Sequence, residues 1–175
     1  RAMLQRTMAL AAVLFFLAWA AFYALWFTVD LPTTHLDGAF QSASSLYRLN
    51  AGYLPGRDFM PYLGIGPTFV IYPAFWAAGA NLAASEFSTY LMTLGFSWLS
   101  VSLLWHLIFR PASLLTSLAV GASFLALTVI ATLSIPQLRD AFDYALAPGN
   151  SLRPIRTAAP YIAVAFYELG IRRVS

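Results

Sequence analysis

Residues Thr7–Val29 read TMALAAVLFFLAWAAFYALWFTV, an apolar run without a charged side chain. At 1.5 Å per residue, a helix of this length extends about 34 Å, enough to cross the ~30 Å hydrocarbon core of a bilayer. A signal peptide would have a shorter apolar core and a cleavage site of small residues, which Thr28-Val29-Asp30 does not offer. The run therefore predicts a retained transmembrane helix.

Three further apolar runs follow. They cover residues 65–84, 87–109 and 112–135. Pro67, Pro73 and Gly79 interrupt the first of these, but membrane helices tolerate proline where neighbours satisfy the freed carbonyl groups. Charged residues make up 10% of the chain, against about 25% in soluble domains. We predict a single all-α integral membrane domain over residues 1–175, with about four transmembrane helices.

The arginine distribution predicts the orientation of these helices. All ten basic residues are arginines, and in a four-span arrangement three lie on the outer side (Arg48, Arg57 and Arg110) and seven on the inner side. Because basic residues favour the cytoplasmic side, we expect a multi-pass membrane protein with a cytoplasmic N-terminus. The loop of residues 30–64 is then periplasmic or extracellular. The scattered arginines form no basic stripe, which argues against a nucleic-acid partner.

The tail, residues 136–175, differs from the rest of the chain. Gln137–Thr157 is polar, whereas Ala158–Ile171 is apolar over a length too short to cross a bilayer. We expect the apolar part to be an interfacial helix or the first turns of further spans in a longer protein.

The outer loop contains a predicted helix over Gly38–Asn50. Its apolar residues follow the i, i+3, i+4, i+7 spacing of one helix face: Ala39, Phe40, Ala43, Leu46, Tyr47 and Leu49. We expect an amphipathic interfacial helix on the outer membrane surface, with Ser44 and Ser45 on its polar side. Asp37 stands at the helix start, where a carboxylate is either an ordinary N-cap worth about 1 kcal/mol or a functional acid. His35, two residues earlier, is placed to share its proton.

The segment after this helix reads GYLPGRDFMPYLGIGP from Gly52 to Pro67. Its glycines and prolines restrict the backbone, so the loop is expected to have one shape. Arg57 and Asp58 lie side by side among apolar residues. They form either a structural pair or a site in which Arg57 binds a lipid phosphate with two hydrogen bonds.

A span, an acidic residue before a loop helix, and then G-x-x-P-x-R-D-F-x-P-Y-x-G-x-G-P before another span resemble the N-terminal part of bacterial GT-C glycosyltransferases. The branch most similar contains protein mannosyltransferases and the aminoarabinose and lipopolysaccharide-core sugar transferases. The resemblance covers Asp30–Pro67. Two features depart from it: many members have two adjacent acids where this chain has Asp37-Gly38, and members contain many more spans.

The resemblance implies an inverting glycosyltransferase that uses a polyprenyl-phosphate sugar, with this chain as part of a larger enzyme. Asp37 corresponds to the catalytic acid/base. Arg57, Asp58, His35 and Tyr62 are the candidates for binding the donor phosphate and lipid. No cofactor and no metal site are expected, although the residues leave a divalent metal open. His106 is a secondary candidate.

The alternative is a non-catalytic subunit that packs within a larger membrane complex. Small residues at Ala11-Ala12 and at Ala77-Ala78-Gly79-Ala80 would allow close helix contacts with such a partner. Membrane lipid is a partner in both cases.

Overall fold

The computed structural model describes residues 2–29, 36–111, 113–137, 164 and 167. These form five helices and no strand, which confirms the predicted all-α class. The helices are α1 (Ala2–Val29), α2 (Leu36–Asn50), α3 (Ile65–Ala77), α4 (Leu82–Phe109) and α5 (Leu114–Ser134). The predictions for the tail fall almost entirely outside the described residues.

Two of the described helices are long and apolar enough to cross a membrane. They are Met3–Trp26 within α1, with a mean hydropathy of 2.2, and α4, with a mean hydropathy of 1.5. The other apolar helical segments, α3 and Leu114–Thr128 of α5, are shorter. The described part of the chain is thus all-helical with two candidate spans, and the arrangement with four spans stays a prediction.

The boundary between the second and third predicted spans is wrong. The predicted run 65–84 is divided, because α3 ends at Ala77 and α4 already begins at Leu82. The chain turns between them with Gly79 at a φ of 101°, a left-handed conformation that glycine adopts without steric cost. Consequently Glu86, predicted to lie between two spans, lies inside α4.

Asn81 determines where α4 begins. Its side-chain oxygen accepts a hydrogen bond from the Ala84 N–H at 2.8 Å, the geometry of an N-cap. At the other end, Arg110 has a left-handed φ of 47°, and Ser113 caps α5 by accepting the Thr116 N–H at 3.2 Å. Local capping chemistry therefore sets both ends of the connection between α4 and α5.

Helix α4 contributes to two apolar clusters. The first cluster joins α4 to α1 and α5, and its buried residues include Phe16, Ala20, Tyr23, Tyr90, Leu94, Trp98 and Ala122. The second cluster joins α4 to α2, α3 and the loop before α3, and consists of Leu46, Leu63, Ile71, Phe75 and Ala84. The outer-loop segment 36–64 is thereby packed against the helical bundle.

Polar contacts reinforce the packing of α4 against α5. The indole N–H of Trp98 donates to the Leu118 carbonyl at 2.9 Å, and a 3.0 Å hydrogen bond joins His106 Nδ1 to the buried Ser117 Oγ. His106, a secondary functional candidate from the sequence, therefore takes part in a contact between helices.

Candidate functional site

The loop after α2 is held by its own backbone hydrogen bonds. The Tyr53 N–H donates to the Arg48 carbonyl at 3.0 Å, and the Asp58 N–H donates to the Leu54 carbonyl at 2.9 Å. Gly56 has a φ of 85°, and its N–H donates to the Phe59 carbonyl at 2.8 Å. Since a residue with a side chain rarely adopts that φ, Gly56 is required for this turn. The loop has a defined shape, as its Pro and Gly content predicts.

Arg57 and Asp58 form a two-bonded ion pair. Arg57 Nε donates to Asp58 Oδ1 at 2.9 Å, and Nη2 donates to Oδ2 at 2.7 Å. The Leu54 N–H also donates to Oδ2, at 2.8 Å. The hydrogen bond from Arg57 lowers the pKa of Asp58, with the Leu54 N–H as the second cause, and the same pair raises the pKa of Arg57. Of the two readings left open by the sequence, this geometry matches the structural pair.

Arg48, at the last turn of α2, lies beside this pair and was not among the predicted site residues. Its guanidinium carbon is 5.5 Å from the centre of the Phe59 ring, a cation–π contact. A surface cleft of about 290 Å³ is lined by Arg48, Tyr53, Asp58 and Phe59. The single ion pair of the described residues is Arg57–Asp58, so Arg48 has no carboxylate partner there. Arg57 neutralises the carboxylate of Asp58, so Arg48 leaves one net positive charge among these three side chains.

One side of α2 is a polar stripe. Its members, Asp37, Gln41, Ser44 and Arg48, follow one another at i, i+4, i+7 and i+11, which places their backbone positions on one helix face. The opposite face packs against α3 and α4 and buries Ser42, Ala43, Ser45 and Leu46. The helix predicted over Gly38–Asn50 is confirmed and begins two residues earlier.

The predicted faces of α2 need correction. Ser45, expected on the polar surface, is buried, whereas Phe40 and Tyr47 of the predicted apolar stripe are exposed. The buried face of α2 is rotated relative to the predicted apolar stripe, because small residues such as Ser42 and Ser45 allow the helix to approach its neighbours closely. The Ser45 hydroxyl meets its hydrogen-bonding need within the helix by donating to the Gln41 carbonyl at 3.3 Å.

The remaining predicted site residues are only partly described. Asp37 lies in the first turn of α2, but its side chain, like the whole of His35, lies outside the described part of the chain. Tyr62 is 78% exposed and does not line the cleft. The structure thus brings Arg57 and Asp58 together and adds Arg48 to them. The helical spacing of eleven residues from Asp37 is the signal by which sequence reasoning would have found Arg48.

The ion pair predicts how the loop responds to mutation. Replacing Asp58 with Asn removes the charge that holds Arg57, so chymotrypsin should cleave after Phe59 several-fold faster, measured against cleavage after the exposed Phe109 in the same sample. Because the pKa of Asp58 is lowered, the pair contributes fully at neutral pH and is lost only as the pH falls below the ordinary Asp range. A cleavage ratio that does not change would show that the pair does not hold the loop.

The chemistry of the cleft and the polar stripe suits an anion that also carries hydroxyl groups. The guanidinium of Arg48 can donate to phosphate oxygens, and Gln41 and Ser44 can donate to and accept from hydroxyls. The ordered loop provides a fixed wall for such a ligand. No protein-family model, curated protein or solved structure matches this chain.

Proposed function

We propose that the protein is a membrane glycosyltransferase of the GT-C type. It transfers a sugar from a polyprenyl-phosphate donor to an acceptor at the outer face of a bacterial inner membrane, as part of a larger enzyme. The observation that carries this proposal is the polar stripe of α2, which has a carboxylate residue at its N-terminal end and an arginine at its C-terminal end. The sequence resemblance over Asp30–Pro67 supplies the reaction class.

The spacing along α2 fits the size of the reacting groups. Asp37 and Arg48 are eleven residues apart in one helix, so their backbone positions are separated by about 16 Å. In this reaction the base contacts the acceptor oxygen, that oxygen faces the anomeric carbon, and a guanidinium binds the phosphate on the same carbon. The distance from the base to the guanidinium along these contacts is about 12 Å. The side chains of Asp37 and Arg48 can span the rest of the distance between their backbone positions. One sugar phosphate can therefore extend between the two residues.

In the proposed reaction, Asp37 accepts the proton of the acceptor hydroxyl as that oxygen attacks the anomeric carbon. The bond from the anomeric carbon to the phosphate oxygen breaks, with inversion, and its electron pair leaves with the polyprenyl phosphate. General-base assistance of this kind is worth about 10²–10⁴ in rate. The leaving phosphate is already anionic, so it needs positive charge more than a proton.

The Arg57–Asp58 ion pair changes which arginine we assign to bind the donor phosphate. Arg57 directs Nε and Nη2 to Asp58, whereas Arg48 has no carboxylate partner among the described residues. We assign the phosphate to Arg48. Arg57 then neutralises Asp58, which would otherwise repel the donor. Tyr62 and His35 keep supporting roles as lipid and proton contacts.

The membrane arrangement belongs to the same proposal. Four spans with a cytoplasmic N-terminus would expose the 30–64 loop to the periplasm. Helix α2 would lie at the interface, where its exposed Phe40 and Tyr47 can enter the headgroup region. A flat lipid-linked donor can then enter sideways from the bilayer. No cofactor is required for this chemistry.

The proposal predicts that Arg48 contributes to donor binding. In the full-length protein, replacing Arg48 with Gln should weaken binding of a short-chain polyprenyl phosphate about 10–100-fold, because a hydrogen bond to a charged group contributes about 1.5–3 kcal/mol. Arg110→Gln is the matched control: it removes the same charge at an exposed site in the turn between α4 and α5. Fluorescence titration in nanodiscs measures both. An equal loss in the two variants would indicate only general electrostatic attraction.

A non-catalytic subunit is the second candidate. It is favoured by the large exposed apolar surface of α1, where Phe15, Phe22 and Trp26 are 70%, 63% and 65% exposed. A partner helix can cover this surface as well as lipid can. The donor titration distinguishes the candidates, because a purely structural subunit does not bind polyprenyl phosphate in an Arg48-dependent manner.

A further inference from the structure

Glu86 is a buried carboxyl group that the proposed sugar transfer does not use. Its side chain is 1% exposed, and neither Oε1 nor Oε2 has a hydrogen-bond partner among the described residues. Charged groups buried in membrane proteins are normally paired or bind ions. An ionised Glu86 at this position therefore needs a ligand that supplies positive charge.

Glu86 lies within a hydroxyl seam of α4. The seam consists of Ser85, Ser88, Thr89 and Thr93, all with 0% exposure. Thr89 and Thr93 stand three and seven residues after Glu86, so they share its side of the helix. The seam also separates the two apolar clusters, since Ala84 belongs to the second cluster and Tyr90 to the first. Glu86 and the hydroxyl seam thus lie on α4 between the first and the second apolar cluster.

The hydroxyl groups beside Glu86 donate their protons elsewhere. Ser85 Oγ donates to the Leu82 carbonyl at 2.8 Å, and Thr89 Oγ1 and Ser88 Oγ donate to the Ser85 carbonyl at 2.7 and 3.1 Å. A hydroxyl proton used in this way is not available to a carboxylate, whereas a lone pair on the same oxygen still is. On the Glu86 side of the helix, Thr89 Oγ1 therefore keeps a lone pair for a ligand that binds at the carboxylate. Oxygen lone pairs with one carboxylate are the ligands of a hard cation.

The single negative charge of Glu86 indicates the charge of the cation that would bind there, because one carboxylate balances one positive charge. The described residues contain no group of three His, Cys, Asp or Glu that could hold a metal ion, and protein sites for divalent ions usually use several such ligands. We propose that Glu86 and the hydroxyl seam bind a small monovalent cation, with Na⁺ as the test ion, and that this site is independent of sugar transfer.

The first test uses the unmodified protein in lipid nanodiscs. Dicyclohexylcarbodiimide reacts with buried carboxyl groups that are free, so a bound cation should protect Glu86. We expect modification at Glu86, located by mass spectrometry of peptides, to be about tenfold slower in NaCl than in choline chloride of equal ionic strength when Na⁺ is at about ten times its Kd. Equal rates in the two salts would overturn the proposal.

The second test compares variants. The thermal unfolding temperature of the unmodified protein should rise in NaCl relative to choline chloride, and Glu86→Gln should lose this increment. Asp58→Asn is the control, because it makes the same acid-to-amide change on the surface and should keep the increment. An Na⁺ increment that survives in Glu86→Gln would rule out Glu86 as the ligand. If Glu86→Gln does not fold, the carbodiimide rates alone decide.

Discussion

Replacing Asp37 with Asn is expected to reduce the rate of sugar transfer by about 10²–10⁴-fold, the contribution of a general base. Asp37 is the second residue of α2 rather than its N-cap, so losing its charge removes only a helix-dipole interaction of about 0.3–1 kcal/mol and α2 should still form. The substitution therefore separates a structural role of Asp37 from a catalytic one. A carboxylate that only stabilises the helix start predicts almost no change in rate, whereas a proton acceptor predicts a large loss of kcat with little change in donor binding.

Two further variants complete this experiment in the full-length protein. Asp37→Glu keeps a carboxylate on a longer side chain and should retain part of the activity. Ser44→Ala changes an exposed residue of the same polar stripe and should leave the helix intact. Circular dichroism checks that each variant is folded, and transfer of a radiolabelled sugar measures the rate. Unchanged turnover in Asp37→Asn would remove Asp37 from the mechanism.

Replacing Gly121 with Ala is expected to destabilise the contact between α4 and α5. A Cβ at this position would overlap Ser102 Oγ and would lie 3.1 Å from Ser102 Cβ and 3.2 Å from its Cα. Because Cα belongs to the backbone, the helices must separate by a few tenths of an ångström. Such overpacking usually costs about 1–3 kcal/mol, measurable as a lower midpoint of unfolding by sodium dodecyl sulfate.

Gly95 provides the matched control for this substitution. It is also a helical glycine, but a Cβ there would meet no atom within 4 Å. Gly95→Ala should therefore stabilise the protein slightly, since Ala is favoured over Gly in helices by about 1 kcal/mol. The double variant Ser102→Gly, Gly121→Ala should recover part of the loss. Equal unfolding midpoints for the two alanine variants would contradict the close approach of α4 and α5.

The elements that the sequence predicted well are those defined by a single strong pattern. The uncharged run after Thr7 indicates a helix, and the spacing of apolar residues before Asn50 indicates α2. The end of α3 was missed because Gly79 and Asn81, which stop one helix and cap the next, are short signals inside a continuous apolar run. Glu86 falls between the predicted runs 65–84 and 87–109, so its burial within α4 could not be foreseen.

The candidate site was predictable only in its local part. Arg57 and Asp58 are neighbours in sequence, so their pairing follows from their positions. The cation–π contact of Arg48 with Phe59 depends on the fold of the loop back onto α2, which spacing alone does not reveal. The rotation of α2 likewise depends on its packing against α3 and α4. Tertiary contacts override the hydrophobic pattern where small residues such as Ser45 permit close packing.

The participation of α4 in both apolar clusters has a mechanical consequence. Its 28 residues contain no proline, so α4 is expected to stay straight while α2 and α3 pack on one part of it and α1 and α5 on another. A rearrangement of α2 on ligand binding would therefore shift the helix against which α1 and α5 pack. Movements of α2 and of α1 are expected to be coupled through α4.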